Sequence, residues 1–214
     1  MQLKGLKDFI LGLFNQDGKL ITGPQGLSAN GIFVVDLASS KGAIEANITG
    51  INANVEQIYG SNELAEQMVG AIRPKIELAA NDIPHDVYDK CAGLTDSSDG
   101  GFEAHSGQII TGAAIIHSTN MAESIDCYLA FPMGIFVPGS MNLKTDTQNG
   151  VLIHDSLTLN CEARSSDGLV YKKFYSDAKN FDKEKMLADI FPGYSVSSSS
   201  TSSSATVITN SKQN

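Results

Sequence analysis

The stretch GAIEANITGINANVEQIYGSNELAEQMVGAIRPKIELA, residues 42–79, predicts two β-strands joined by a long polar connection. In residues 42–49, Ile44, Ala46 and Ile48 face one way and the polar residues between them face the other, a period of two that indicates a half-buried strand. Residues 72–79 form the second strand. Residues 51–70 have no clean period, and a loop this long is uncommon in a compact domain unless it is functional or disordered.

The apolar content of residues 51–70 argues against disorder, so we expect this loop to dock on another surface. A neighbouring subunit is the natural candidate, because the loop mixes Asn and Gln with a few apolar anchors. The residues expected to form this subunit interface are Ile51, Val55, Ile58, Tyr59, Leu64 and Met68.

A short helix is predicted directly after the second strand, where residues 81–94 read NDIPHDVYDKCAGL. Asp82 is a suitable cap, Pro84 fits the first turn, and Gly93 is a typical terminator, which places the helix at about residues 82–93. Apolar residues recur every four positions within it and form its buried stripe.

The remaining chain is β-rich with one more helix. Residues 151–164 alternate with apolar odd positions apart from Asp155, and residues 169–175 are predicted as a partner strand across the turn at 165–168. Residues 182–191 predict a short C-terminal helix with Met186, Leu187 and Ile190 inward. From Ser195 the composition becomes Ser-rich, so we expect one domain over residues 1–194 and a tail over residues 195–214, flexible or docked on a neighbour.

Composition bounds the function classes. The 214 residues carry a formal charge of −9, which argues against a surface that grips nucleic acid. Cys91, Cys127 and Cys161 occupy apolar positions and are interpreted as small buried hydrophobic residues. The apolar run at residues 9–14 is too short for a signal-peptide core or a membrane span, so no membrane insertion is expected.

Catalytic and metal-binding patterns are weak. His154, Asp155 and Ser156 are adjacent on a predicted strand and therefore point to alternating faces, so they cannot converge as a triad. Residues 96–103 lack the ligand spacing of a calcium loop, and the four histidines form no metal-ligand grouping. The sequence predicts neither an enzyme nor a bound cofactor or metal.

The order strand, long connection, strand, short helix, together with the wording GAIEAN at 42–47 and ANDIP at 80–84, resembles the major tail (tail-tube) proteins of long-tailed siphophages. The resemblance covers roughly residues 5–192. It implies a mainly β fold, a β-sandwich or β-barrel with one packed helix, a long inter-subunit loop and a short C-terminal helix. It also implies a structural virion protein whose rings, usually of six subunits, stack into the tube through which DNA is delivered.

In such a tube the DNA passes the lumen without specific binding, and acidic side chains would face it. Partners implied by the resemblance are other copies of the chain, a tape-measure protein, a tail terminator and distal tail or baseplate proteins, with assembly in the host cytoplasm. Candidate acidic lumen residues are Glu45, Glu77, Asp126 and Glu162.

Two alternatives come from other functional classes. A β-sandwich adhesin or carbohydrate-binding module would need exposed aromatic residues, whereas aromatic residues are 7% of the chain and tryptophan is absent. A capsid or head-completion subunit is compatible with the composition.

Overall fold

The computed structural model describes residues 2–140 and 154–195, and its main feature is an antiparallel sheet of eight strands. The strands of this sheet are β1 (Leu3–Phe14), β2 (Ile32–Val35), β3 (Ala43–Thr49), β6 (Lys75–Ala80), β9 (Thr111–Asn120), β10 (Asp126–Pro138), β11 (Asp155–Cys161) and β12 (Lys172–Tyr175). Their order in the sheet is β2-β1-β9-β10-β11-β6-β3, with β12 also paired to β10. Two small hairpins lie outside it: β4 (Val55–Gly60) with β5 (Glu63–Val69), and β7 (Thr95–Asp96) with β8 (Phe102–Glu103).

Strand β10 belongs to both halves of the sheet. Its first half pairs with β9 and β12, and its second half, from Gly134 to Pro138, pairs with β11. The register with β9 shifts between Phe131 and Gly134, which marks a bulge of the kind that bends a strand. The sheet therefore folds over into two layers, with β2-β1-β9-β10-β12 on one side and β10-β11-β6-β3 on the other.

The main core lies between the two layers. It combines Phe9 and Leu11 of β1 with Ile76 and Leu78 of β6 and with Leu157 of β11, all at most 1% exposed. Helix α2 (His85–Cys91) closes one side of this core with the apolar residues Ile83, Val87 and Cys91.

A second core lies on the opposite face of the first layer. There helix α3 (Lys183–Ile190) packs Met186, Leu187 and Ile190 against β1, β9 and β10, and Phe191 follows with no exposed surface. Because β1 is covered on both faces, residues 9–14 are all buried, which explains their continuous apolar sequence.

Several sequence expectations are confirmed. The fold is mainly β, Leu157, Leu159 and Cys161 alternate into the core, and the apolar faces of α2 and α3 are buried. The three cysteines are buried free thiols.

Among residues 2–140 and 154–195, every helix is too short or too polar to span a bilayer.

Other expectations are wrong in detail. Residues 169–175 contribute β12, but β12 pairs with β10 and not with β11, because β6 and the second half of β10 already occupy both edges of β11. Asp82 does not cap α2: it forms an ion pair with Lys41, and the N-cap residue is Pro84, with no side-chain cap. Just before the helix, the Ile83 amide donates to Asp155 Oδ2 at 2.8 Å. Ile44 lies at a bulge and is 44% exposed, so it leaves the core face predicted for it.

Two further expectations concern residues beyond the described ranges. The long strand predicted for residues 151–164 is described from residue 154 onward, and its strand spans Asp155–Cys161. Of the Ser-rich tail predicted for residues 195–214, residues 196–214 lie outside the described ranges.

Candidate assembly surfaces

The segment predicted as an irregular loop is a β-hairpin, which we call the arm (residues 55–69). β4 and β5 pair in antiparallel register from Val55 opposite Val69 to Gly60 opposite Glu63. Ser61 and Asn62 link them with φ values of 54° and 65°, the left-handed conformation of a type I′ turn. The prediction of a loop was wrong because the bulge beside Ile58 interrupts the alternation of side chains on which strand prediction depends.

Every residue of both arm strands is exposed. A two-stranded ribbon with neither face covered is marginally stable in water by itself. The arm therefore has the surface properties of an element that is completed by contact with another molecule.

The two faces of the arm differ in chemistry, because residues paired across strands share a face. On the first face, Val55 lies opposite Val69 and Tyr59 opposite Leu64, and the only polar pair is Gln57 with Gln67. The apolar side chains on this face are 47–71% exposed, and the Tyr59 hydroxyl donates to Gln57 Oε1 at 2.7 Å. No charged side chain lies on this face.

The second arm face is acidic. Ile58 pairs with Glu66, and Met68 pairs with Glu56, so each exposed apolar side chain lies beside a carboxylate. The first face is thus the better candidate for a fully desolvated contact, since a buried carboxylate without a partner is costly.

The base of the arm is fixed by close backbone packing. Gly50 has a φ of 68°, and a Cβ built on it would lie 2.5 Å from the carbonyl oxygen of Arg73. Only glycine fits this conformation and this approach without strain. Pro74 is buried where the chain returns from the arm to β6, and the Gly70 amide donates to Asn54 O at 2.7 Å. The arm therefore leaves the domain at a defined position.

A second candidate surface is the outer face of the layer β10-β11-β6-β3, which we call the polar sheet face. Side chains that alternate with the buried residues point outward here, and most of them are polar. Its members are Glu45, Asn47, Thr49, Lys75, Glu77, Ala79, Ile135, Val137, Ser156, Thr158 and Asn160.

Glu77 is the centre of a polar network on this face. Lys75 Nζ donates to its Oε1 at 2.7 Å and Asn47 Nδ2 donates to its Oε2 at 3.2 Å. These two hydrogen bonds, first the one from Lys75, lower the pKa of Glu77, so it stays ionised at neutral pH. Glu45 is exposed on the neighbouring strand, and Glu162 follows β11 with the outward parity of Thr158 and Asn160.

Asp126 is separate from the other three acidic residues proposed from sequence. It lies at the start of β10 in the first layer, where its carboxylate contacts His117 and Lys7. Of the four residues predicted to line a lumen, the structure brings Glu45, Glu77 and Glu162 to one layer and places Asp126 in the other.

The predicted interface residues also divide. Val55, Tyr59 and Leu64 share the first arm face, Ile58 and Met68 share the second, and Ile51 is half-buried at the base. Sequence reasoning missed Val69, the most exposed apolar residue of the arm at 71%, because its partner Val55 becomes evident only from the register.

The described residues show little that would support catalysis. Within the described ranges, no three His, Cys, Asp or Glu side chains converge in a geometry that could hold a metal ion. Asp155 turns to the Ile83 amide instead of toward a nucleophile.

A comparison with protein families supplies the deciding observation: the family model described as phage tail tube protein matches residues 1–199. The chain belongs to the phage tail tube protein family. This family is structural and is not an enzyme family. No curated protein matches the chain.

As a phage tail tube protein, the chain is a virion component that assembles with other tail proteins into a tube. The mainly β fold, the exposed arm and the uncovered polar sheet face belong to one subunit of such a tube. Family membership also favours the tube over the adhesin and head-completion alternatives.

Proposed function

We propose that copies of this chain form rings, six subunits to a ring as the resemblance implies, which stack into the tube that delivers phage DNA. The observation that carries the proposal is the arm, because it exposes four apolar side chains on an uncharged face of a two-stranded ribbon. Exposed apolar surface of this kind marks a protein–protein contact.

The arm reaches a neighbouring subunit in this proposal. Val55, Tyr59, Leu64 and Val69 provide the apolar centre of the contact, and Gln57 and Gln67 provide hydrogen bonds that need no counter-charge. The composition matches interfaces that have an aromatic or aliphatic centre and a polar surround. Ile58 and Met68, with their flanking glutamates, lie at the rim.

The polar sheet face lines the lumen in the same proposal. Within the part of the chain that the structure describes, the first layer has both faces covered, by the main core and by α3, whereas one face of the second layer is uncovered. An uncovered polar face with more carboxylates than ammonium groups can pass DNA without adhesion, because like charges repel. With six subunits of formal charge −9, a ring carries −54.

Edges of the second layer provide a route to ring closure. Among the strands within residues 2–140 and 154–195, β3 pairs with β6 alone, so its other edge has no partner strand there. Joining this edge to the sheet of the next subunit would make the lumen wall continuous and would remove an exposed strand edge that otherwise promotes aggregation. The tape-measure, terminator and distal tail or baseplate proteins would then contact the ends or the interior of the tube, during assembly in the host cytoplasm.

Negative-stain electron microscopy of the purified chain over a concentration series tests this proposal. We expect tubes or rings with a central hole whose number increases with concentration. Monomers at every concentration, also in the presence of preassembled tail tips, would contradict it.

A further inference from the structure

His117 occupies the centre of a row of side chains that crosses four strands. Asp8 of β1 lies directly opposite His117 of β9, which lies opposite Tyr128 of β10, which lies opposite Phe174 of β12. All four side chains are on the face that α3 covers: Tyr128 and Phe174 belong to the edge of its apolar core, and Asp8 and His117 continue the row beyond that edge. The side chain of His117 is only 10% exposed.

Both ring nitrogens of His117 contact carboxylates. Nδ1 lies 2.8 Å from Asp8 Oδ2, and Nε2 lies 3.0 Å from Asp126 Oδ1. An ionised carboxylate only accepts hydrogen bonds, and a neutral imidazole has a single N–H to donate. Two such contacts are satisfied together only when both nitrogens carry a proton, that is, when the ring is an imidazolium.

The cluster joins the first layer to the segment that leads into α3. The Asp126 amide donates to Ser176 Oγ at 2.8 Å, and the Ser176 amide donates to Asp126 O at 2.9 Å. Tyr128 is stacked between the His117 ring, at 4.4 Å between centroids, and the Phe181 ring, at 5.6 Å. Residues 176–181 are therefore linked to the cluster in two ways: through the main chain of Asp126, whose carboxylate contacts His117, and through Tyr128, whose ring stacks on His117.

We propose that Asp8, His117 and Asp126 form a protonation-dependent latch, in which doubly protonated His117 holds the segment before α3 on the sheet and releases it when the ring loses a proton. Loss of one proton would leave a nitrogen lone pair facing a carboxylate oxygen about 3 Å away, and this repulsion would push Asp8 or Asp126 out of place. If the main chain of Asp126 moves with its carboxylate, both hydrogen bonds to Ser176 are disturbed, because the Asp126 amide and carbonyl oxygen make them.

Two other polar groups lie beside the latch. Lys7 Nζ lies 3.3 Å from Asp126, where its ammonium group stabilises that carboxylate but does not favour a second positive charge on His117. The Tyr128 phenol stays neutral because burial raises its pKa to about 12. On α3, the residues packed on this face are apolar. Burial by itself lowers the pKa of His117, but its hydrogen bonds to Asp8 and Asp126 outweigh burial and raise the pKa above the ordinary 6.5. The bond from His117 lowers the pKa of Asp126.

The sign of the pH effect follows from the raised pKa. A proton bound more tightly in the folded state stabilises that state fully below the unfolded pKa, and this stabilisation is lost as pH rises through the folded pKa. The latch is therefore closed in mildly acidic solution and opens as pH rises through the raised pKa of His117.

Long-range ¹H–¹⁵N correlation spectra of the full chain test the central point directly. At pH 6 we expect both nitrogens of His117 to show the shifts of protonated nitrogen, with a titration midpoint above 6.5. A neutral tautomer at pH 6, or a midpoint at or below 6.5, would overturn the proposal whatever the behaviour of any variant.

Amide hydrogen exchange tests the consequence for the chain. We expect the protection factors of the Asp126 and Ser176 amides, corrected for intrinsic rates, to fall at least tenfold as pH rises through the His117 midpoint, with no matching fall for Leu159 in β11. This pH step should disappear in His117→Gln and persist in His85→Gln, where an exposed histidine is removed. An unchanged step in His117→Gln, or a fall of equal size at Leu159, would refute a local latch.

Discussion

Tyr59→Asp offers the sharpest separation of assembly from folding. Tyr59 is 65% exposed, and its hydroxyl donates a hydrogen bond to Gln57 within the same strand. Surface substitutions without buried partners change the free energy of unfolding by roughly 0.5 kcal/mol or less. We therefore expect Tyr59→Asp to fold with an unchanged melting temperature.

The effect on assembly is much larger if the first arm face is buried. A tyrosine side chain covers about 200 Å², so the 65% that is exposed leaves roughly 130 Å² for a neighbour to cover. At about 25 cal/mol per Å² this burial contributes up to about 3 kcal/mol to each contact. Losing it raises the concentration required for assembly about 150-fold, since 1.4 kcal/mol corresponds to a factor of ten. The introduced carboxylate adds a desolvation cost in the same direction.

Sedimentation and electron microscopy over a concentration series measure this shift. Met121→Asp is the matched control, because Met121 is 59% exposed but lies in the turn between β9 and β10, away from the arm. We expect Met121→Asp to form tubes as the unmodified chain does and Tyr59→Asp to remain monomeric. Tubes formed by Tyr59→Asp at the unmodified concentration would refute the role of the arm.

Three further substitutions test other parts of the argument. Glu45→Lys should make assembled tubes retain DNA in co-sedimentation, whereas the same change at Glu184 on α3 should not; equal retention by both would contradict the placement of the lumen. Phe191→Ala removes a fully buried ring and should cost about 3–5 kcal/mol in urea unfolding, and a loss below about 1 kcal/mol would show that α3 is weakly packed. Truncation after Tyr194 should leave the melting temperature unchanged, and a drop of several degrees would show that residues 195–214 dock on the domain.

Local side-chain periodicity allowed part of the fold to be predicted. The alternation of Leu157, Leu159 and Cys161 and the spacing of Met186, Leu187 and Ile190 place apolar residues on one face whatever the element later contacts. The order of elements and the wording at 42–47 and 80–84 also led to the family, which the match over residues 1–199 then confirmed.

The candidate site was predicted only in outline. Residues 51–70 were predicted to contact a neighbouring subunit from their apolar content, but their division into an uncharged and an acidic face depends on a register that a bulge shifts. Glu45 and Glu77 were expected to face outward and do so, whereas the location of Asp126 depends on which layer receives the first half of β10.

The sequence by itself determined the class of fold, the buried faces of its main elements and the segment that extends from the domain, because these depend on neighbours a few residues apart. Tertiary structure alone decided that β12 pairs with β10, that Asp155 accepts a hydrogen bond from the Ile83 amide, and that Asp8 contacts His117 across 109 positions of sequence. Such contacts depend on which distant strands pair and in which register, and the local periodicity of side chains does not predict that pairing.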